Sequence, residues 1–130
     1  MTVGLHTTNL ANKWLDMLGG TAFTAPGTTA VKLHTGDPGS AGTSNASAET
    51  TRKALTWSSA SSDQVAIAAT LPQWATWSAG SETISHVSVW DSTTAGNFLY
   101  SFALTTSKAI TNGDTLNLTA HTAALTPLAA

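Results

Sequence analysis

The side chains of this 130-residue chain suited to acid–base or metal chemistry are four histidines, at 6, 34, 86 and 121, and seven carboxylates. No two histidines stand three or four residues apart, the spacing that sets two ligands on one helix face, and no His-Glu-x-x-His pattern occurs. Cysteine is absent, which removes disulfides, thiolate nucleophiles and thiolate metal sites. His34 and Asp37 are close enough to bond across a turn, which reads as turn stabilisation rather than catalysis. His86 sits in an apolar alternating run and reads as a core or interface histidine. The carboxylates are scattered, with no pair suited to glycoside hydrolysis. No serine occupies a Gly-x-Ser-x-Gly elbow, and no phosphate-binding glycine loop opens a helix. Asn45-Ala46-Ser47 and Asn117-Leu118-Thr119 match the glycosylation sequon by formula only. These residues predict a non-enzymatic chain with no catalytic residues, no bound metal and no cofactor.

Five tryptophans, at 14, 57, 74, 77 and 90, are the other distinctive side chains. Exposed indoles would stack on sugar rings, as in a carbohydrate-binding module. Burial in a core or subunit interface is the favoured reading, because each indole removes much apolar area from water. The composition is 42% hydrophobic but only 9% charged, against a usual charged share of roughly 25%. Threonine, at 24 positions, fills much of the gap and favours pleated, half-buried surfaces. A net charge of −2 gives no electrostatic footprint for nucleic acid or an anionic membrane, and little self-repulsion between copies. No signal peptide is visible and no stretch approaches the roughly 20 apolar residues of a membrane span, so synthesis and use from the cytoplasm are expected.

These side chains must be held by many short elements. One helix is predicted over residues 8–18, capped by Thr8 or Asn9 and stopped by Gly19-Gly20. Leu10, Trp14, Met17 and Leu18 repeat at helical spacing, and that face buries either on its own domain or on a neighbouring subunit. Strands are predicted at 30–34, 54–58, 65–71, 73–78, 84–90, 97–104, 108–111 and 115–125. Within 84–90, Ile84, His86, Ser88 and Trp90 are expected on one face and Ser85, Val87, Val89 and Asp91 on the other. Phe98, Tyr100 and Phe102 are expected to share a face. Asn112-Gly113-Asp114 signals a tight turn. After the first strand, Pro38 presets a turn and Gly39 is suited to the positive φ that follows. The tract from Pro38 to Thr51 has little bulk to pack, so it is either mobile or ordered by contact with something else. The predicted fold is mainly β: an antiparallel, jelly-roll-like β-sandwich with a short N-terminal helix. Residues 1–27 form an arm and helix, and residues 28–130 the sandwich, as one structural domain.

Four segments carry a family resemblance: VKLHTGDPG at 31–39, RKALTW at 52–57, ISHVSVWDSTTAGNFLYSFAL at 84–104 and GDTLNL at 113–118. In order and spacing they resemble small structural proteins of tailed bacteriophages of actinobacteria. Members are labelled minor tail or tail fibre proteins, and similar β domains serve as capsid decoration proteins. The resemblance implies a virion component without catalytic residues. It departs before Arg52, where an Asn-Glu pair with an aromatic residue usually stands and Ala48-Glu49-Thr50-Thr51 stands here. No repeat able to build a fibre shaft is present, so capsid decoration on the virion surface is the expected role. A minor tail or tail fibre protein is the alternative, and a carbohydrate-binding module the non-virion rival. The expected partners are further copies of the chain, in a homotrimer, and the major capsid protein or tail proteins, with a host-surface glycan as a further candidate. The expected interface comprises Leu10, Trp14, Met17 and Leu18 on the helix, with Asp37, Pro38, Gly39 and Arg52 bounding a loop that orders on binding.

Overall fold

The longest alternation of apolar and small polar residues forms the centre of the molecule. The computed structural model describes residues 3–68 and 70–124. Its strands are β1 (Gly4–Leu5), β2 (Thr29–His34), β3 (Lys53–Leu55), β4 (Gln64–Ala66), β5 (Gln73–Trp74), β6 (Glu82–Trp90), β7 (Phe98–Ile110), β8 (Leu116–Asn117) and β9 (Thr122–Ala124). A π-helical turn over Thr7–Ala11 runs into helix α1 (Asn12–Leu18). The main sheet is antiparallel, in the order β1-β7-β6-β2-β3, and two ribbons, β4–β9 and β5–β8, accompany it. This is the mainly β, sandwich-like architecture with one short N-terminal helix that the patterning predicts.

The core lies between the main sheet and the ribbons. Val31, Leu33, Ile84, Val87, Val89, Leu99 and Ile110 from the sheet join Trp74, Trp77, Leu116 and Leu118 from the β5–β8 side in one buried cluster. Tyr100 and Phe102 pack against it, where the β9 end brings His121 onto the Phe102 ring. Leu10 enters the same cluster and β1 pairs with β7, so the N-terminal arm is tied to the sheet.

Two register shifts revise the expected faces. A shift between Ile84 and His86 moves Ile84 into the cluster with Val87 and Val89, rather than onto the His86, Ser88 and Trp90 side. A bulged residue inverts the in–out alternation beyond it. A second shift pairs Trp90 with Phe98 but Val89 with Tyr100, leaving Leu99 as the extra residue. Leu99 therefore joins the core, and Phe98 packs beside Trp90 at 5.6 Å between ring centres instead of sharing a face with Tyr100 and Phe102.

The element bounds also differ from expectation. The strands expected at 97–104 and 108–111 are one strand, because residues 104–107 bulge between the His86↔Ala103 and Ile84↔Lys108 pairs. The strand expected at 54–58 stops at Leu55, that at 65–71 reduces to β4, and that at 73–78 to β5. Thr76, with a φ of +53°, bends the chain out of strand geometry. The run 115–125 divides into β8 and β9. Leu125 of that run, Ala69 and the domain's end at residues 125–130 lie outside the described residues. The helix begins as a π turn, and its cap is neither Thr8 nor Asn9. His6 Nδ1 accepts the Asn9 N–H at 3.1 Å. Gly19-Gly20 ends the helix as expected, with Gly20 at φ +85°.

Candidate functional site

The sheet face opposite the core carries the chain's most connected polar cluster. Ala30 and His34 of β2, Ser88 and Trp90 of β6, and Phe98 and Ser101 of β7 are all buried. Residues 35–52 cover them, so the loop expected to be mobile or to order on a partner is ordered by its own sheet. Thr35 N–H bonds the Asn45 carbonyl at 2.9 Å, and Ser47 N–H bonds the Leu33 carbonyl at 3.1 Å. At the far end Glu82 accepts from the Ser47 hydroxyl and, at 3.3 Å, from the Ala48 N–H. Gly42, at φ +70°, lies against the Phe98 ring, where a Cβ would collide with the aromatic carbons. Glycine is required there on both counts.

His34 joins this loop to the sheet. Its Nδ1 is 2.8 Å from the Ser44 carbonyl, and its Nε2 is 2.7 Å from Ser88 Oγ. A carbonyl only accepts, so Nδ1 carries the proton; in the neutral ring that burial favours, the Ser88 hydroxyl then donates to Nε2. Trp90 Nε1–H then donates to Ser88 Oγ at 2.8 Å. Burial holds His34 below the ordinary imidazole range, opposed by its bond to Ser44, with Lys32 and His86 adding repulsion to a proton. A serine hydroxyl on a histidine whose far nitrogen is oriented is also the geometry of nucleophilic catalysis. Here Ser88 and His34 are both fully buried beneath the loop, so no substrate carbonyl reaches the hydroxyl. The cluster is a clasp. Ser101, opposite Ser88 in register, is buried with no hydrogen-bond partner for its hydroxyl among the described residues.

Each expected interface residue has a definite place. Both ring nitrogens of His34 are committed elsewhere, so the turn is not closed by the expected His34–Asp37 bond. Asp37 Oδ1 accepts the Gly39 N–H at 2.9 Å, and the Asp37 carbonyl accepts from Asn45 Nδ2 at 2.9 Å. Pro38 is fully buried and Gly39 takes the expected positive φ of +73°. The Arg52 guanidinium sits 3.8 Å over the Trp90 ring and donates to the carbonyls of Ser92 and Ala95, pinning the β6–β7 loop. Leu10 is buried and Trp14 is half-buried against the core, whereas Met17 and Leu18 are exposed, as is Leu15. The helix face is thus docked at its start and bare at its end.

His121, which the sequence did not single out beyond its type, forms a second, half-buried histidine site. Its ring stacks on Phe102 at 3.8 Å between ring centres, and its Nε2 is hydrogen-bonded to the Tyr100 hydroxyl at 3.0 Å. Burial lowers the His121 pKa and raises that of Tyr100, so phenol and neutral imidazole are the matched pair. Ser88 and Ser44 were equally unmarked: their partner His34 is 54 and 10 residues away, and only strand order brings them together.

Among the described residues, four tryptophans have bonded indole nitrogens: Trp57 to Thr29 Oγ1, Trp74 to the Thr51 carbonyl, Trp77 to the Gly80 carbonyl and Trp90 to Ser88. Among the described residues no group of three or more His, Cys, Asp or Glu converges on a metal position, and no helix is long and apolar enough to cross a membrane. A family model described as "Podophage GP4 fiber I protein gp80" matches residues 6–126. No curated protein matches the chain.

Proposed function

We propose that this chain, which belongs to the podophage GP4 fiber I protein family gp80, is a non-enzymatic tail-fibre protein of a bacteriophage virion. The family match over residues 6–126 carries the proposal. It supports a phage structural protein and favours the tail over capsid decoration, so the fibre alternative replaces the decoration role as the reading. It carries no information on an actinobacterial host. The domain lacks a shaft-forming repeat, so its role is a globular module of the fibre, joined to further copies and to other tail proteins.

Self-association, in a homotrimer, is part of the proposal. Leu15, Met17 and Leu18 are exposed on one short helix of a weakly charged chain, and such a patch favours a protein partner. The carbohydrate-module reading draws less support, since Trp74, Trp77 and Trp90 are buried and Trp14 and Trp57 pack on the core. Virions labelled with gold-conjugated antibody against this chain test the location. Gold on the tail is expected. Gold distributed over the capsid shell would restore the decoration role and remove this one.

A further inference from the structure

We propose that Asn112-Gly113 is a modification site of this chain, at which a succinimide forms spontaneously, and that a clasp between residues 77–80 and 111–114 blocks the reaction while the domain is folded. The chemistry needs no partner and is independent of the fibre role. The six asparagines are followed by Leu10, Lys13, Ala46, Phe98, Gly113 and Leu118. Ring closure brings the backbone nitrogen of the following residue onto the asparagine Cγ. Every follower except Gly113 hinders that approach with a side chain, and glycine also leaves the backbone free to rotate into it. Asn112 and Gly113 are both exposed, so water reaches the site.

In the folded chain another segment holds both reacting groups. Gly113 N–H donates to the Trp77 carbonyl at 2.8 Å, and Trp77 N–H donates back to the Asp114 carbonyl at 2.8 Å. Asn112 Oδ1 accepts the Gly80 N–H at 2.8 Å. The turn is closed by Asp114 N–H on the Thr111 carbonyl at 3.1 Å, with Gly113 at the φ of +93° that glycine supplies. Asp114 Oδ2 adds bonds from the Thr111 N–H at 2.9 Å and the Thr111 hydroxyl at 3.0 Å. Trp77 anchors the other side: it is 2% exposed, and its indole N–H donates to the Gly80 carbonyl at 2.9 Å. Attack on Cγ therefore requires the Gly113–Trp77 and Asn112–Gly80 bonds to break first.

Exposed turns open locally at a lower free energy than core strands. Once this one opens, the Gly113 nitrogen bonds to Asn112 Cγ, the Cγ–Nδ2 bond breaks, and ammonia leaves with the Gly113 proton. Water then opens the ring at either carbonyl. The product at position 112 is aspartate or isoaspartate, with one added negative charge and no change of oxidation state. An isoaspartyl linkage lengthens the main chain by one carbon before Gly113, which takes the Gly113 N–H out of register with the Trp77 carbonyl. A transient opening of the clasp thereby becomes permanent.

The full chain is incubated at pH 8, folded and in urea, and every asparagine is followed by peptide mass mapping and isoaspartyl methyltransferase labelling. In urea Asn112 should convert at least tenfold faster than any other asparagine, and at least tenfold faster than in the folded chain. Asp114→Ala, with its circular dichroism unchanged, should speed conversion in the folded state at least threefold and leave the rate in urea unaltered. Where Asp114→Ala fails to fold, Thr111→Val, which removes one hydroxyl bond of the turn, is read in the same way. Equal rates at Asn112 in the folded chain and in urea would overturn the protection. A folded variant no faster than the unmodified chain, or one equally accelerated in urea, would overturn the clasp as its source. Faster conversion of another asparagine in urea would overturn the site.

Discussion

At the residue scale, His34 is the group on which the covered face depends. Its neutral imidazole accepts a hydrogen bond from a hydroxyl on one side and donates one to a carbonyl on the other. Because burial depresses its pKa below the ordinary 6.5, the unfolded chain binds a proton that the folded chain resists. The contribution to stability is therefore complete above about pH 6.5 and declines as pH falls toward the folded value. His121 shifts the same way, by burial alone. Urea midpoints measured from pH 7.5 down to pH 5 should fall, and His34→Gln should flatten part of that slope. Midpoints independent of pH would show that neither imidazole is held neutral. The two facing serines make a contrasting pair. Ser88→Ala strands the Trp90 N–H and His34 Nε2 and should cost about 1–3 kcal/mol. Ser101→Ala removes a hydroxyl without a partner and should be neutral or slightly stabilising in the same urea titration.

At the element scale, the loop between β2 and β3 behaves as part of the sheet. Its hold comes from Ser44 on His34, Ser47 on Glu82, Pro38 in the interior and Gly42 against Phe98. Gly42→Ala meets both a left-handed backbone and the Phe98 ring, so a loss of roughly 1–3 kcal/mol is expected from strain at a special φ/ψ. Amide exchange should then speed up selectively in residues 38–47, whereas a uniform change across the sheet would place the loop's stability elsewhere. Helix α1 divides in the opposite sense. Leu10→Ala empties a buried position and should cost about 2–5 kcal/mol. Leu18→Ala, at an 83% exposed position, should leave the unfolding free energy of the isolated chain within about 0.5 kcal/mol.

At the scale of the whole molecule, weak charge and apolar surface set the terms of the proposed attachment. Five cations and seven carboxylates leave few charges for intermolecular pairing, and exposed pairs contribute only about 0–1 kcal/mol each. On the proposed function, attachment to copies or to tail proteins would therefore depend on apolar burial, at roughly 25 cal/mol per Å² before association costs. Association should persist in 1 M salt, where the Debye length is about 3 Å. Release of the chain from virions at moderate salt would identify an electrostatic interface instead.

The sequence by itself determined the class of this protein. Alternation at 84–90, Gly/Pro/Asn punctuation and a weakly charged, Thr-rich composition specify an antiparallel β domain, because strand period and turn chemistry are local properties. The end of α1 and the turn at Pro38-Gly39 were legible for the same reason, and the quoted motifs pointed to phage structural proteins. Tertiary structure decided the rest. Which side of β6 Ile84 occupies, and which ring Phe98 meets, depend on register shifts that no single strand encodes. The low bulk of residues 39–48 left the loop either mobile or ordered by contact with something else, and the chain's own sheet supplies the partners that order it. Of the expected helix face, Leu10 is buried and Leu18 is bare. Local spacing sets which residues share a face; only the packing of distant segments sets what that face meets.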